Sequence, residues 1–236
     1  MTRTFHQGVF VSEPSEVFPI FPVFLLVDVS ASMAGGPIEA LNQALPALQA
    51  EMRSNPLVGE IARVALVTFS DEARVQIPLA DLAFTQLPEV LVEGGTNFAA
   101  AFRGLRQAID EGMASLPKGT PVYRPVVFFM SDGEHNAKQD WTDALGQIQD
   151  TGWKWRPEVV SFGFGEANRD AMRRAATRYA FMAKDHDPVV QVREIMNALI
   201  GSIRTTSTSF HDPSQQDGLR LEVPEEHFTP LPRLET

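Results

Sequence analysis

Apolar residues along the chain form short continuous runs that alternate with longer segments in which they recur every three or four positions. The short runs are rich in β-branched and aromatic residues, which is typical of strands covered on both faces. They lie at residues 23–27, 63–69, 126–130, 159–164 and 180–183. Residues 73–79 instead alternate apolar and polar positions and contain Pro78, which predicts a strand at the edge of a sheet.

The longer segments predict helices, because their apolar residues fall on one face at a spacing of three or four. Pro37 suits a first helical turn, whereas Pro46 predicts a kink or break in the same helix. The predicted helices cover residues 37–52, 98–109, 140–149, 169–179 and 188–203. Strands that alternate with helices predict an α/β fold, a doubly wound and mostly parallel sheet with one antiparallel edge strand and helices on both faces.

The pattern divides the chain into an N-terminal arm at 1–18, a domain at 19–204 and a C-terminal extension at 205–236. Residues 205–209 (TTSTS) read as a polar linker, or as a segment that a kinase would phosphorylate. Further along, Leu219, Leu221 and Val223 alternate with polar residues, so they are candidates for one added strand.

Composition and charge argue against several classes of function. The 236 residues include 20 Lys and Arg against 30 Asp and Glu, a net charge of −10, which argues against binding to nucleic acid. The chain has no cysteine, so thiol chemistry and cysteine-based metal sites are excluded, and a reducing compartment is favoured. The first residues lack the pattern of a signal peptide, and the most apolar run, 19–27, is too short to span a bilayer.

Candidate chemistry is concentrated in three loops that follow strands or open helices. The first carries Asp28, Ser30 and Ser32, the second Thr96, and the third Asp132. Loops at the carboxyl ends of parallel strands meet in one crevice, so these side chains are expected to lie together. Two carboxylates and three hydroxyls form an oxygen-only set that suits Mg²⁺, and Mn²⁺ or Ca²⁺ are compatible with it.

Other residues are expected to shape this site. Gly94 and Gly95 would let the Thr96 loop approach closely, and Gly133 would do the same beside Asp132. Three further residues are candidates for the rim that a ligand touches, namely Met33, Asn97 and His135.

These residues resemble the complete metal-ion-dependent adhesion site (MIDAS) of von Willebrand factor A domains. The resemblance covers roughly residues 20–204. The segments DVSASMAGGPIEALNQAL, GGTNFAAAFRGL and FFMSDGEHN further resemble the bacterial tellurium-resistance TerY-like branch. That resemblance implies a cytoplasmic, metal-dependent protein-binding adaptor in a chemical-stress system that includes a kinase and a phosphatase. It also implies that a partner's Asp or Glu completes the metal's shell.

An enzyme is the competing interpretation. A Mg²⁺-dependent phosphatase or phosphotransferase of the α/β type also places an Asp after the first strand of such a sheet. Those enzymes use a second Asp two residues later as acid and base, and this chain has Ser30 there. We therefore expect no catalytic activity.

A basic cluster stands apart from these loops. The arginines at 169, 173, 174 and 178 recur at helical spacing in an otherwise acidic chain. They are interpreted either as a solvated helix face or as a docking surface for an acidic or phosphorylated partner.

Overall fold

A computed structural model describes residues 18–136, 140–210 and 218–232. Within these residues, seven strands form one sheet in the order β3-β2-β1-β4-β5-β6-β7. The strands are β1 (Phe21–Asp28), β2 (Ala62–Phe69), β3 (Ala73–Ala80), β4 (Val126–Ser131), β5 (Glu158–Gly163), β6 (Tyr179–Ala183) and β7 (Phe228–Leu231). The helices are α1 (Gly36–Ser54), α2 (Pro56–Ile61), α3 (Phe98–Ser115), α4 (Thr142–Gln149), α5 (Arg169–Ala175) and α6 (Pro188–Phe210).

The predicted α/β architecture is confirmed. Strands β2, β1, β4, β5 and β6 are mutually parallel, and β3 pairs antiparallel with β2 at one edge, as its alternating pattern predicts. The opposite edge carries a second antiparallel strand, β7, paired with β6. The sequence pattern proposes the added strand at Leu219–Val223 instead, and those residues lie outside any strand.

Side chains alternate between the two faces of the sheet, and each face has its own apolar core. Val23 and Leu25 of β1 pack with residues of α1, α2 and α6. Phe24 and Leu26 of the same strand pack with residues of α3, α4 and α5. The sheet is therefore covered on both faces, which explains why its central strands read as continuous apolar runs.

Two local predictions, a helix break at Pro46 and a polar linker at residues 205–209, are wrong. Helix α1 runs through Pro46 without a break, since its buried face of Leu41, Leu45 and Leu48 anchors both halves on the sheet. Residues 205–210 are not a linker but the last turns of α6, in which Thr206, Ser207 and Ser209 are buried. The Thr206 hydroxyl and the backbone of Arg220 hydrogen-bond in both directions, at 3.1 and 3.0 Å, so this polar stretch packs against the chain that follows it.

The described part of the C-terminal extension thus joins the sheet, and the expected division at residue 204 falls inside a helix. Nearly all of the predicted N-terminal arm, residues 1–17, lies outside the described residues. No helix within the described part of the chain is long and apolar enough to cross a membrane.

Candidate metal centre

The first loop of the candidate site begins where β1 ends. Asp28 is the last residue of β1 and is fully buried. Its Oδ1 accepts a 2.9 Å hydrogen bond from the backbone N–H of Ser30, which curls the chain back over the carboxylate. The hydroxyls of Ser30 and Ser32 lie 3.1 Å apart, so this curled loop aims both side chains in one direction.

The third loop meets the first directly. Strand β4 lies next to β1 with Met130 opposite Val27, so the residues that follow each strand are neighbours. The Ser32 hydroxyl donates a 2.8 Å hydrogen bond to Oδ1 of Asp132. Two residues that are 100 positions apart in the sequence are therefore in contact, as expected for loops at the same edge of a parallel sheet.

The second loop closes the group. Thr96 is buried, with 3% of its surface exposed, and its Oγ1 lies 3.3 Å from where a Cβ on Gly133 would be. Backbone hydrogen bonds join this loop to the first one, from Ala31 N–H to the Gly94 carbonyl at 3.1 Å. All three predicted loops therefore converge at the carboxyl edge of β1 and β4.

The predicted glycines have distinct surroundings. Gly94 has a φ of +33°, and a Cβ there would lie 2.1 Å from Oδ2 of Asp71. The same aspartate accepts a 3.1 Å hydrogen bond from the N–H of Gly95. Asp71 thus holds the loop that carries Thr96, a role that the sequence pattern does not reveal. Asn136, whose Oδ1 accepts from the Thr96 N–H at 2.9 Å, fixes the other side of this loop.

Ser131 is a further supporting residue that was not predicted from the sequence. Its hydroxyl donates a 2.6 Å hydrogen bond to Oδ2 of Asp28, and both groups are completely buried. The signal for it was a hydroxyl residue immediately before Asp132, at the end of a strand predicted to lie beside β1.

Three residues were predicted to form the rim of the site. The prediction for Met33 is wrong, because its side chain is fully buried in the core under the loop. Asn97 immediately precedes α3, and its Oδ1 accepts a hydrogen bond from the Ala100 N–H at 3.1 Å as a helix cap. His135 is half-buried and stacks on Phe98, and its Nδ1 accepts from the Phe98 N–H at 3.2 Å. Asn97 and His135 therefore support the start of α3.

Burial sets the electrostatics of the site. Desolvation raises the pKa of Asp28 from 3.8 to about 6, against the opposing effect of its hydrogen bonds from Ser131 and Ser30. Desolvation also raises the pKa of Asp132, partly offset by the hydrogen bond from Ser32. Ionising both buried carboxylates costs free energy, because they lie close together and are removed from water. A bound cation would offset this cost.

The donor set fits a hard divalent cation. Every converging side chain offers oxygen, which is the ligand type that Mg²⁺ and Ca²⁺ prefer. The described residues contain no group of three or more His, Cys, Asp or Glu placed to hold a metal. Asp28, Ser30, Ser32, Thr96 and Asp132 are the residues that would hold the ion.

Comparison with known proteins identifies a family model and solved structures that this chain resembles. Residues 23–135 match the family model described as von Willebrand factor type A domain. No curated protein matches the chain. Among solved structures, proximal thread matrix protein 1 from the mussel byssus, with zinc occupied MIDAS motif, is 15% identical with a TM-score of 0.56. That match covers 80% of this chain and 49% of the mussel protein.

Two bacterial structures share the fold to a similar degree. A von Willebrand factor type A protein from Catenulispora acidiphila is 16% identical with a TM-score of 0.54, covering 78% of this chain and 43% of that one. The pilus adhesin SpaC from Lactobacillus rhamnosus GG, in its open conformation, is 16% identical with a TM-score of 0.59, covering 80% and 30%. This chain spans less than half the length of each of these proteins. The matched segment and the shared fold together support a von Willebrand factor type A domain in this chain.

Proposed function

We propose that this protein is a metal-ion-dependent protein-binding module that recognises a carboxylate of a partner through Mg²⁺ at the sheet's carboxyl edge. Von Willebrand factor type A domains commonly mediate protein interactions, which agrees with an adaptor role. The observation that carries the proposal is the 2.8 Å contact between Ser32 Oγ and Asp132 Oδ1, which brings two separate loops to one point.

Each residue has a defined part in this proposal. Asp28, Ser30, Ser32, Thr96 and Asp132 supply oxygens to the ion, directly or through water. The bound ion supplies an electrophilic coordination position for an outside oxygen, the ligand type it prefers. The two carboxylates formally balance a divalent charge, so an acidic partner group is met by coordination even though the chain carries a net charge of −10.

The cellular setting follows from the sequence resemblance. We place the protein in the cytoplasm, in a bacterial tellurium-resistance or chemical-stress system, as a scaffold for a kinase or phosphatase of that system. Mg²⁺ is the proposed resident ion, and Mn²⁺ or Ca²⁺ are also compatible with the oxygen donors. The proposed role is binding without catalysis, because Ser30 stands where a Mg²⁺-dependent phosphatase of this type needs its acid and base.

Calorimetric titration of metal-free protein with Mg²⁺ and Mn²⁺ tests the metal site. One site is expected in the wild type and none in Asp28→Ala. Asp143→Ala is the matched control, because this exposed residue of α4 carries the same charge and takes part in none of the hydrogen bonds described for the site. Equal binding by wild type and Asp28→Ala would remove the site assignment.

Affinity capture from the native cell tests the partner. Partners should be retained with Mg²⁺, lost with chelator, and lost with Asp28→Ala. A phosphatase screen with Mg²⁺ should show no turnover. Turnover that disappears in Asp28→Ala would replace the binding function with catalysis.

A further inference from the structure

A basic cleft lies at the end of the sheet opposite the candidate metal centre. It has a volume of about 740 Å³ and is lined by the chain at the amino ends of β5 and β6, by α5 and by the end of β7. Strand β4 runs from the end of the sheet that carries the cleft to the end that carries the candidate metal centre. Its six residues, at about 3.3 Å each, place the cleft roughly 20 Å from Asp132.

The charge of this cleft is opposite to that of the whole protein. Among the described residues that line it, four are arginines and Glu158 is the only acidic one, so this part of its wall has three positive charges in excess while the chain carries −10. The arginines are Arg124, Arg156, Arg173 and Arg178. They come from three separate parts of the chain, and only two of them belong to the arginine series that the sequence pattern singles out.

Two of these arginines already have acidic partners. Arg178 Nη1 donates to Glu158 Oε1 at 2.8 Å, and Arg173 Nη1 donates to Asp170 Oδ1 at 2.6 Å. Within the described residues, neither Arg124 nor Arg156 forms an ion pair with a carboxylate. The Nε atoms of Arg156 and Arg173 are buried without a hydrogen-bond partner, so these two donors outnumber the one buried acceptor without a partner in the cleft, Oε2 of Glu158. Unpaired buried donors are costly, so this wall favours an anion that would compensate them.

We propose that this cleft binds a phosphate monoester. A phosphate monoester carries close to two negative charges and three acceptor oxygens at neutral pH, which matches three excess positive charges better than one carboxylate does. One guanidinium group can donate two parallel hydrogen bonds to two phosphate oxygens. The volume of the cleft falls within the range of small-ligand sites. Tyr179, 45% exposed at the start of β6, adds an aromatic face beside the arginines for the rest of the ligand.

A phosphorylated side chain of a partner protein and a mononucleotide both carry this group. Calorimetry of the full chain with inorganic phosphate, a phosphothreonine peptide and adenosine monophosphate tests the site and separates the two sources. The unphosphorylated peptide should not bind. Tighter binding of the phosphopeptide assigns the cleft to a modified protein, and tighter binding of the nucleotide assigns it to a small molecule.

Variants in the same wall should change affinity in opposite directions. Arg124→Ala and Arg156→Ala are each expected to weaken binding about tenfold, the loss of a charge-assisted hydrogen bond. Glu158→Gln should tighten it several-fold, since it removes the opposing charge and releases Arg178. Partial unfolding of the variants would weaken binding in every case and cannot explain tighter binding by Glu158→Gln. Arg169→Ala, on the exposed part of α5 and outside the cleft, is the matched control and should bind like the wild type.

The metal centre plays no part in this binding. Chelator and Asp28→Ala should leave phosphate affinity unchanged, so failure of the metal-dependent function does not affect this test. Absence of binding for all three phosphate compounds at millimolar concentration overturns the proposal. An equal loss in Arg169→Ala and Arg156→Ala also overturns it, because the attraction would then be a general effect of charge.

Discussion

Ser131 Oγ donates a 2.6 Å hydrogen bond to Asp28 Oδ2, joining two buried residues at the ends of adjacent parallel strands. The other oxygen of the same carboxylate accepts from the Ser30 N–H at 2.9 Å. Both oxygens of Asp28 are therefore held by the protein itself. A side chain that is oriented before its ligand arrives loses less conformational entropy on binding, so Ser131 acts as a positioning residue for the proposed metal ligand.

Ser131→Ala should weaken Mg²⁺ binding at least about tenfold, the usual effect of removing a residue that orients a metal ligand. It should also destabilise the metal-free protein by about 1–3 kcal/mol, because the buried Asp28 loses a donor. Calorimetry and thermal unfolding measure the two effects. Ser161→Ala is the matched control, since this buried strand hydroxyl donates to the Met172 carbonyl at 2.7 Å, away from the site. Equal metal affinity in both variants would contradict the positioning role.

The stability of the metal-free protein should fall as the pH rises from about 4 to above 6. The pKa of Asp28 is about 6 in the folded protein against 3.8 for an exposed group, so the folded state binds more protons across this interval. Burial therefore opposes folding most once Asp28 is ionised, by on the order of 3 kcal/mol. Asp132, whose pKa is also raised, acts in the same direction.

Denaturant unfolding of the metal-free protein at several pH values measures this dependence. Asp28→Asn removes the titrating group and should flatten the profile relative to the wild type. Saturating Mg²⁺ should reverse the slope, because metal and proton compete for the same carboxylate and Mg²⁺ affinity should decrease below about pH 6. Identical profiles for wild type and Asp28→Asn would show that burial does not control this carboxylate.

Gly94→Ala should lower Mg²⁺ affinity by displacing the loop that carries Thr96. A Cβ there meets Asp71 at 2.1 Å, and the φ of +33° is itself unfavourable for alanine. Gly119→Ala is the matched control, because Gly119 has a φ of +85° but open space around it, in the loop before β4. Both variants should lower the melting temperature, and only Gly94→Ala should weaken metal binding. A similar affinity for the two would argue against close packing of this loop on Asp71.

Pro46→Ala should stabilise the protein by about 1–3 kcal/mol without changing metal binding. Proline inside a helix lacks the N–H that bonds to the preceding turn and crowds its carbonyl, and alanine removes both penalties. Pro37→Ala is the control, since Pro37 lies in the first turn of α1, where its missing N–H has no helical partner. Denaturant unfolding should show a gain for Pro46→Ala alone; an equal gain for both would contradict this explanation.

Local patterns were sufficient for most of the sheet. The apolar runs that predict β1, β2, β4 and β5 are read correctly because a strand covered on both faces needs apolar residues at successive positions. The convergence of the three candidate metal-site loops follows from the same logic, since parallel strands place their carboxyl ends at one edge. The short strand β7 was missed because Phe228–Leu231 includes Pro230, a residue that sequence reasoning takes as a break.

The α/β architecture and the oxygen-donor residues proposed in the three loops are predictable from the sequence alone, because they depend on local periodicity and residue chemistry. The residues that support these loops become evident only in the folded chain. The bonds of Ser131 to Asp28 and of Asp71 to Gly95 depend on strand register and loop approach, and no local pattern encodes these. The basic cleft also depends on packing, which brings Arg124 and Arg156 beside Arg178. In the sequence, each of these arginines indicates only an exposed position.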